Sequence, residues 1–304
     1  MKPLLTLLTL LGTALLSFGS EVRRLDDIPY LEPGREETLD LYLPPTPSEA
    51  PRPAVLWIHG GGWQGGTKRN RPVEECCRDL AEAGYVVASI DYALATTERH
   101  TWPLAVLDGK NGVRFLRANA AKYNIDPKRI AVMGGSAGGH LALMVAFTHG
   151  EPALTPDGPD APYPGVDDSV GAVADFYGIT NLLTRQRVTP EGLPTGKLHP
   201  GSNFKFTGLR LPEGEPVWRA ASPVTHVKPG LPPVFITHGK RDATVDYLQA
   251  TELAAALEKA GVPHKLELLE EAGHSYTFTR WQGKPLERDL RPPLLDFLKK
   301  HLRP

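Results

Sequence analysis

Cysteine is nearly absent from this chain. Of 304 residues only Cys76 and Cys77 carry a thiol. Adjacent cysteines cannot staple a disulfide scaffold or supply a zinc spacing such as C-x-x-C, so no metal site is expected. An excess of one charge is also missing. Lys and Arg number 34 against 35 Asp and Glu, for a formal net charge of −1. That balance gives no electrostatic basis for holding nucleic acid or an anionic membrane surface. Internal repeats and low-complexity tracts are lacking, and the composition disfavours collagenous, disordered and multi-span membrane classes. Glycine and proline, by contrast, are plentiful at 30 each, and 41% of residues are hydrophobic. The composition is that of a globular chain with a sizeable core and many tight turns.

One apolar run opens the chain. After Lys2, residues 4–18 (LLTLLTLLGTALLSF) carry no charge, and Ser17 and Gly19 are small residues placed for a cut after Gly19. Positive start, apolar middle and small-residue cut are the order of a secretory leader. The run falls short of the ~20 residues that span a bilayer as a helix. Residues 1–19 are therefore expected to be a signal peptide and 20–304 a single exported domain, periplasmic or secreted, with no membrane partner after cleavage. An uncleaved anchor is the alternative. In an oxidising compartment, Cys76 and Cys77 are expected to be buried and inert.

From there the pattern alternates. Thr38–Leu43 reads as a strand stopped by Pro44-Pro45. Short unbroken apolar runs at 54–58, 85–90, 129–133, 170–176, 233–237 and 265–269 suit strands buried on both faces. Helical patterns lie between them at 72–83, 103–123, 137–148, 244–260 and 286–302, with Gly84 and Gly261 as stops. Such alternation predicts a mainly parallel sheet covered by helices on both faces. Right-handed crossovers then bring the strands' carboxyl ends, and with them the site, to one edge. Two Pro/Gly-rich stretches, 150–168 and 182–217, break the rhythm. Each reads as a lid or binding loop, or else as a solvated decoration.

Four signatures converge on acyl transfer. Gly134-Gly135-Ser136-Ala137-Gly138 follows one predicted strand and opens an apolar helix. A sharp strand–turn–helix exposes the Ser136 hydroxyl and needs small neighbours two residues either side, as in the G-x-S-x-G elbow. His59-Gly60-Gly61-Gly62-Trp63 follows another strand. Its glycines let backbone amides approach a developing oxyanion, so Gly61, Gly62 and Ala137 are the expected donors. His59 is expected to brace that loop. His238-Gly239-Lys240-Arg241-Asp242 places a carboxylate after a late strand, and Asp242 is the expected acid. Asp246 is its rival, though it lies in a helix pattern where a solvated face is the simpler reading. Ala272-Gly273-His274-Ser275-Tyr276 supplies the expected base, His274, after the last strand. His140, beside the serine, has no carboxylate arranged behind it. The order Ser136, Asp242, His274 differs from that of chymotrypsin or subtilisin.

On these residues the chain resembles the α/β-hydrolases of the esterase/lipase branch. It is similar to hormone-sensitive-lipase-like carboxylesterases and to the bifunctional acetyl/feruloyl esterase group. The likeness runs over about residues 35–302 and includes Asp40 to Pro44, His59 to Trp63, Asp91-Tyr92, Asn119 to His140, Ala221-Ser222-Pro223, Asp242 and His274. It implies an α/β-hydrolase fold with an eight-stranded, mostly parallel sheet, a Ser-His-Asp triad and no cofactor. The chain departs from the family where a common Asp-Tyr-Arg reads Asp91-Tyr92-Ala93. The expected substrate is a small-molecule or polysaccharide-linked ester with a short acyl or aryl group, such as acetyl or feruloyl. Trp63 is expected to bind substrate, and Trp102, Trp218, Tyr177 and Trp281 are further candidates for an acyl or aryl pocket. An amidase, peptidase or aryl formamidase with the same triad, and an inactive ligand-binding protein, are the competing readings. Oligomeric state is not legible.

Overall fold

The computed structural model describes residues 21–199 and 201–303. The apolar run expected to be a leader, with its expected cut after Gly19, lies outside them. Eight strands form the central sheet: β1 (Arg23–Pro29), β2 (Thr38–Leu43), β3 (Arg52–Ile58), β4 (Val86–Ile90), β5 (Ile125–Gly135), β6 (Ala172–Phe176) and, after a short hairpin of β7 (Gln186–Val188) and β8 (Pro194–Leu198), β9 (Val234–Gly239) and β10 (His264–Leu269). Their spatial order is β1-β2-β4-β3-β5-β6-β9-β10. Within the sheet only β2 runs against its neighbours. The central strands are mostly apolar because both faces are covered, and successive residues divide between two cores. On β3, Ala54, Leu56 and Ile58 join the core under helices α2 (Leu104–Ala118), α4 (Ala137–Phe147) and α7 (Leu248–Lys259). Val55 and Trp57 join the opposite core, under α1 (Arg71–Glu82) and α8 (Arg291–His301). Cys76 and Cys77 are buried and unbridged in that second core, where burial pushes both thiols up.

Three helices differ from the sequence pattern, each for a local reason. The predicted helix over 103–123 breaks after α2, because the Asn119 amide donates to its own Phe115 carbonyl at 2.9 Å. A single turn, α3 (Ala120–Tyr123), follows and ends at Asn124 in the left-handed conformation. The predicted 244–260 helix starts only at Leu248, because Asp242 captures the amides of Thr244 and Val245 at 2.8 and 2.9 Å. α8 starts at Arg291 rather than 286, with its two prolines confined to the first turn, where no amide is missed.

The two irregular stretches part company. Residues 150–168 hold only one turn of 3-10 helix, Pro152–Leu154. They are tied down by Arg114, which reaches Asp157 at 2.6 Å and Asp168 at 3.2 Å. Residues 182–217 are not structureless. They contain the β7–β8 hairpin, α5 (Gly201–Thr207) and the start of α6 (Glu215–Ala220). Among the described residues no helix is long and apolar enough to cross a membrane.

Candidate active site

The carboxyl ends of β3, β5, β6, β9 and β10 deliver the site. Ser136 follows β5 with φ 58° and ψ −124°, a left-handed conformation that costs energy in a non-glycine residue. Its neighbours explain why the turn must be built from glycine. A Cβ on Gly134 would lie 2.3 Å from the Gly138 carbonyl oxygen, and one on Gly138 would lie 2.0 Å from that of Ile58. Trp63, Tyr177 and Ser275 also have positive φ, so strained backbone gathers on the loops around the serine.

The structure brings Ser136, His274 and Asp242 together. Ser136 Oγ lies 2.9 Å from His274 Nε2, and His274 Nδ1 lies 2.6 Å from Asp242 Oδ2. Asp242 is buried. Burial alone would raise its carboxyl, but His238 and His274 hold it well below the usual carboxylate range. Its other oxygen accepts the Thr244 and Val245 amides, which fixes the carboxylate plane. The runner-up Asp246 points elsewhere and accepts the Gln186 amide at 2.8 Å.

The glycine loop stands against the serine. A Cβ on Gly60 would meet Ser136 Cβ at 3.1 Å and the Gly135 carbonyl oxygen at 2.8 Å, so only glycine lets the strands close here. Gly61 and Gly62 both adopt positive φ and line the same cavity as Ser136. Among the described residues no backbone carbonyl accepts from the Gly61 or Gly62 amide. Ala137, directly after the serine, begins α4, where first-turn amides have no helical partner. His59 braces the loop from behind. Its Nδ1 lies 2.6 Å from the Gly60 carbonyl, its ring stacks on Tyr92 at 4.5 Å, and burial pushes its imidazole down.

Where the family resemblance leads to an arginine, Ala93 is buried and its amide meets Asp108 at 2.8 Å. The guanidinium that pairs with Asp108, at 2.7 Å, comes from Arg35.

Trp63 is a correction. It was expected to touch substrate, but its side chain is fully buried, stacked on Phe206 at 4.7 Å, with Nε1 donating to His140 Nδ1 at 3.2 Å. It does not line the cavity. Its left-handed backbone turns the side chain away from the open edge into the core. His140 is spent in the same contact. Its Nε2 donates to the Ala221 carbonyl at 2.7 Å, and burial pushes its imidazole down to about 4. Of the other aromatics, Tyr177 lines the cleft and meets the His274 ring edge-on at 4.9 Å. Trp281 steadies the base by donating from Nε1 to the His274 carbonyl at 3.0 Å. Trp102 and Trp218 do not line the cleft.

Two residues escaped the sequence reading. His238, on β9, places Nε2 3.2 Å from the same Asp242 oxygen that meets His274. Its spacing of four from Asp242 was the one available signal. Arg185, four residues past Asn181, lines the cleft from the segment expected to be a loop. Nothing in its local sequence marks it. The cavity over Ser136 has a volume of about 760 Å³. Among the described residues no group of His, Cys, Asp and Glu is arranged to hold a metal ion.

The BD-FAE family profile matches residues 39–257. The chain belongs to the BD-FAE family, an esterase family of α/β-hydrolases. It is 33% identical over 236 residues to esterase LipQ of Mycobacterium tuberculosis, covering 77% of this chain and 53% of that protein. It is 29% identical over 248 residues to a probable isoprenylcysteine alpha-carbonyl methylesterase of Arabidopsis thaliana, covering 79% and 48%. The chain thus spans about half the length of the curated relatives it matches. Among solved structures, a truncated carbohydrate esterase from gut microbiota superposes with a TM-score of 0.73 at 25% identity, covering 94% of this chain and 98% of that one. Esterase 2 of Thermogutta terrifontis, phosphonylated by sarin, superposes with a TM-score of 0.68 at 28% identity, covering 93% and 94%.

Proposed function

We propose that this protein is a carboxylic-ester hydrolase that works through a covalent acyl-enzyme on Ser136. The observation that carries the reading is the continuous hydrogen-bonded series from Ser136 Oγ through His274 to a buried, charged Asp242, at the wall of an open cavity. Ser136 Oγ attacks the ester carbonyl while His274 Nε2 takes its proton. Asp242 keeps the proton on Nδ1 and stabilises the imidazolium. The amides of Gly61, Gly62 and Ala137 receive the developing oxyanion, each contributing about 3–4 kcal/mol of barrier lowering where such donors have been removed. His274 then protonates the departing alcohol, and water repeats the cycle on the acyl-enzyme.

The substrate is an ester with a short acyl or aryl group, acetyl or feruloyl groups on polysaccharide included. The resemblance to the acetyl/feruloyl esterase group and the carbohydrate esterase among the structural neighbours support this choice. The uncharged apolar run over 4–18, with small residues at 17 and 19, supports reading residues 1–19 as a signal peptide and 20–304 as a single exported domain.

Hydrolysis of a chromogenic acetate tests the nucleophile. Ser136→Ala is expected to lower kcat by on the order of 10³ or more, with a Tm within a few degrees of the parent. Retained turnover would remove Ser136 from the mechanism. A panel of acetate, decanoate and ferulate esters tests the acyl group, and equal rates across it would defeat the short-acyl or aryl preference.

A further inference from the structure

The cavity wall is asymmetric in charge. Arg185 and Arg71 line it, His199 and His274 add two imidazoles, and no Asp or Glu appears among the described lining residues. Arg71 sits at the rim, exposed and paired with Glu75 at 3.0 Å. Arg185 is different, because its side chain is buried. Its Nη1 donates to Ser202 Oγ at 2.8 Å and Asn203 Oδ1 at 3.2 Å, and its Nη2 donates to the Thr244 carbonyl at 3.2 Å. All three acceptors are neutral. Among the described residues no carboxylate comes within 4.0 Å, and Nε has no partner at all. The wall beside it holds a second orphan, His199 Nδ1.

Leaving a guanidinium buried without a counter-ion is costly, and folded proteins rarely do so without a use for the charge. Burial lowers Arg185 only to about 10, so it stays charged at neutral pH, within the more distant field of Asp246 and Asp242. A guanidinium has five N–H donors, of which three are engaged here and one, on Nε, is shielded from solvent, leaving the second Nη2 hydrogen for a ligand. A fixed, hydrogen-bonded guanidinium in a cleft wall is the group best suited to receive a carboxylate.

We propose that Arg185 is the specificity-determining residue of an anion subsite in the Ser136 cavity, and that the preferred ester carries a carboxylate. Ser202, Asn203 and Thr244 hold the guanidinium in place, and His199 stands beside it in the cavity wall. This deepens the esterase reading and rests on it. The carboxylate can belong to the acyl or the alcohol part, because both occupy the same cavity.

The test compares kcat/KM for two matched pairs: mono-para-nitrophenyl succinate against para-nitrophenyl butyrate, and meta-acetoxybenzoate against meta-acetoxybenzamide. Wild type is expected to favour the anionic member of at least one pair. Arg185→Met is expected to reduce that anionic-to-neutral ratio by about tenfold or more, the scale of a hydrogen bond to a charged group. Arg185→Lys should recover part of it. An unchanged ratio, or a wild type that disfavours both anions, overturns the proposal. Should both variants fail to fold, competition on wild type decides. Benzoate must inhibit more strongly than benzamide and lose that advantage in high salt, and equal inhibition by the two overturns the subsite. Turnover of neutral para-nitrophenyl acetate separates the two readings. If the subsite alone is wrong, wild type still hydrolyses it through Ser136. If the esterase reading is wrong, no ester is turned over.

Discussion

Asp242 keeps its charge in the interior because three hydrogen-bond donors and a second imidazole share its two oxygens. His274 hydrogen-bonds Oδ2, the Thr244 and Val245 amides hydrogen-bond Oδ1, and His238, whose Nε2 also lies 3.0 Å from the Val245 carbonyl, stands 3.2 Å from Oδ2. His238 is buried, which would lower its imidazole, but Asp242 overcomes that and holds it above its ordinary value. Asp175 completes this buried cluster. Burial pushes its carboxyl up to about 7 against the pull of His238, and neither oxygen has a well-formed hydrogen bond. A raised folded-state value means the native state favours the neutral acid. Its contribution to stability is whole below the unfolded value near ~3.9 and is lost as pH rises through about 7. Asp175→Asn removes that loss. In urea unfolding at several pH values, the variant is expected to gain on wild type between pH ~4 and ~7, by on the order of 2–4 kcal/mol, and to hold the gain above that range. A difference that is constant or shrinks with pH would contradict it. Asp175 and His238 were not legible as members of this cluster, beyond the spacing of four between His238 and Asp242, because both sit inside largely apolar strands whose partners come from elsewhere in the chain. The serine, acid and base were legible because each follows a strand that sequence marks clearly. Trp63 misled because its place beside the glycines says nothing of which way a left-handed residue turns its side chain.

Among the elements, the strand–turn–helix from β5 to α4 is under the tightest steric control. A Cβ at Gly138 would meet two backbone oxygens, 2.0 Å away on Ile58 and 2.6 Å away on His59. Ile58 ends a strand hydrogen-bonded on both sides, so it cannot retreat. Gly138→Ala is therefore expected to cost about 3–5 kcal/mol, or to lower Tm by roughly 10 °C. Gly158→Ala, where a Cβ meets nothing within 4 Å, is expected to stay within about 0.5 kcal/mol. Thermal melts of the two variants check the contrast, and equal effects would refute the steric account. Central strands were readable as elements because burial on both faces leaves few polar residues in them. The edge strand β1, RRLDDIP, was not, since an edge needs only half-burial and can carry charge. The β7–β8 hairpin escaped for the same reason, with β8 mostly exposed.

At the scale of the whole molecule, the site is assembled from residues distant in sequence. Ser136 and His274 are separated by 138 positions, and Asp242 stands between them in the chain but behind the imidazole in space. The sheet order makes this meeting unavoidable, because β5, β6, β9 and β10 are neighbours whose parallel carboxyl ends share one edge. The segment over 182–217 joins from the side and brings Arg185, His199 and Ser202 to the cleft. The claim on which everything rests is that this edge makes Ser136 uniquely nucleophilic. Reaction with a fluorophosphonate, read by intact mass and by peptide mapping, tests it most directly. The account predicts one adduct per chain, on Ser136, formed at least about a hundredfold more slowly in His274→Ala. Ester turnover that survives complete treatment without an adduct, or an adduct that maps to another residue, would contradict it.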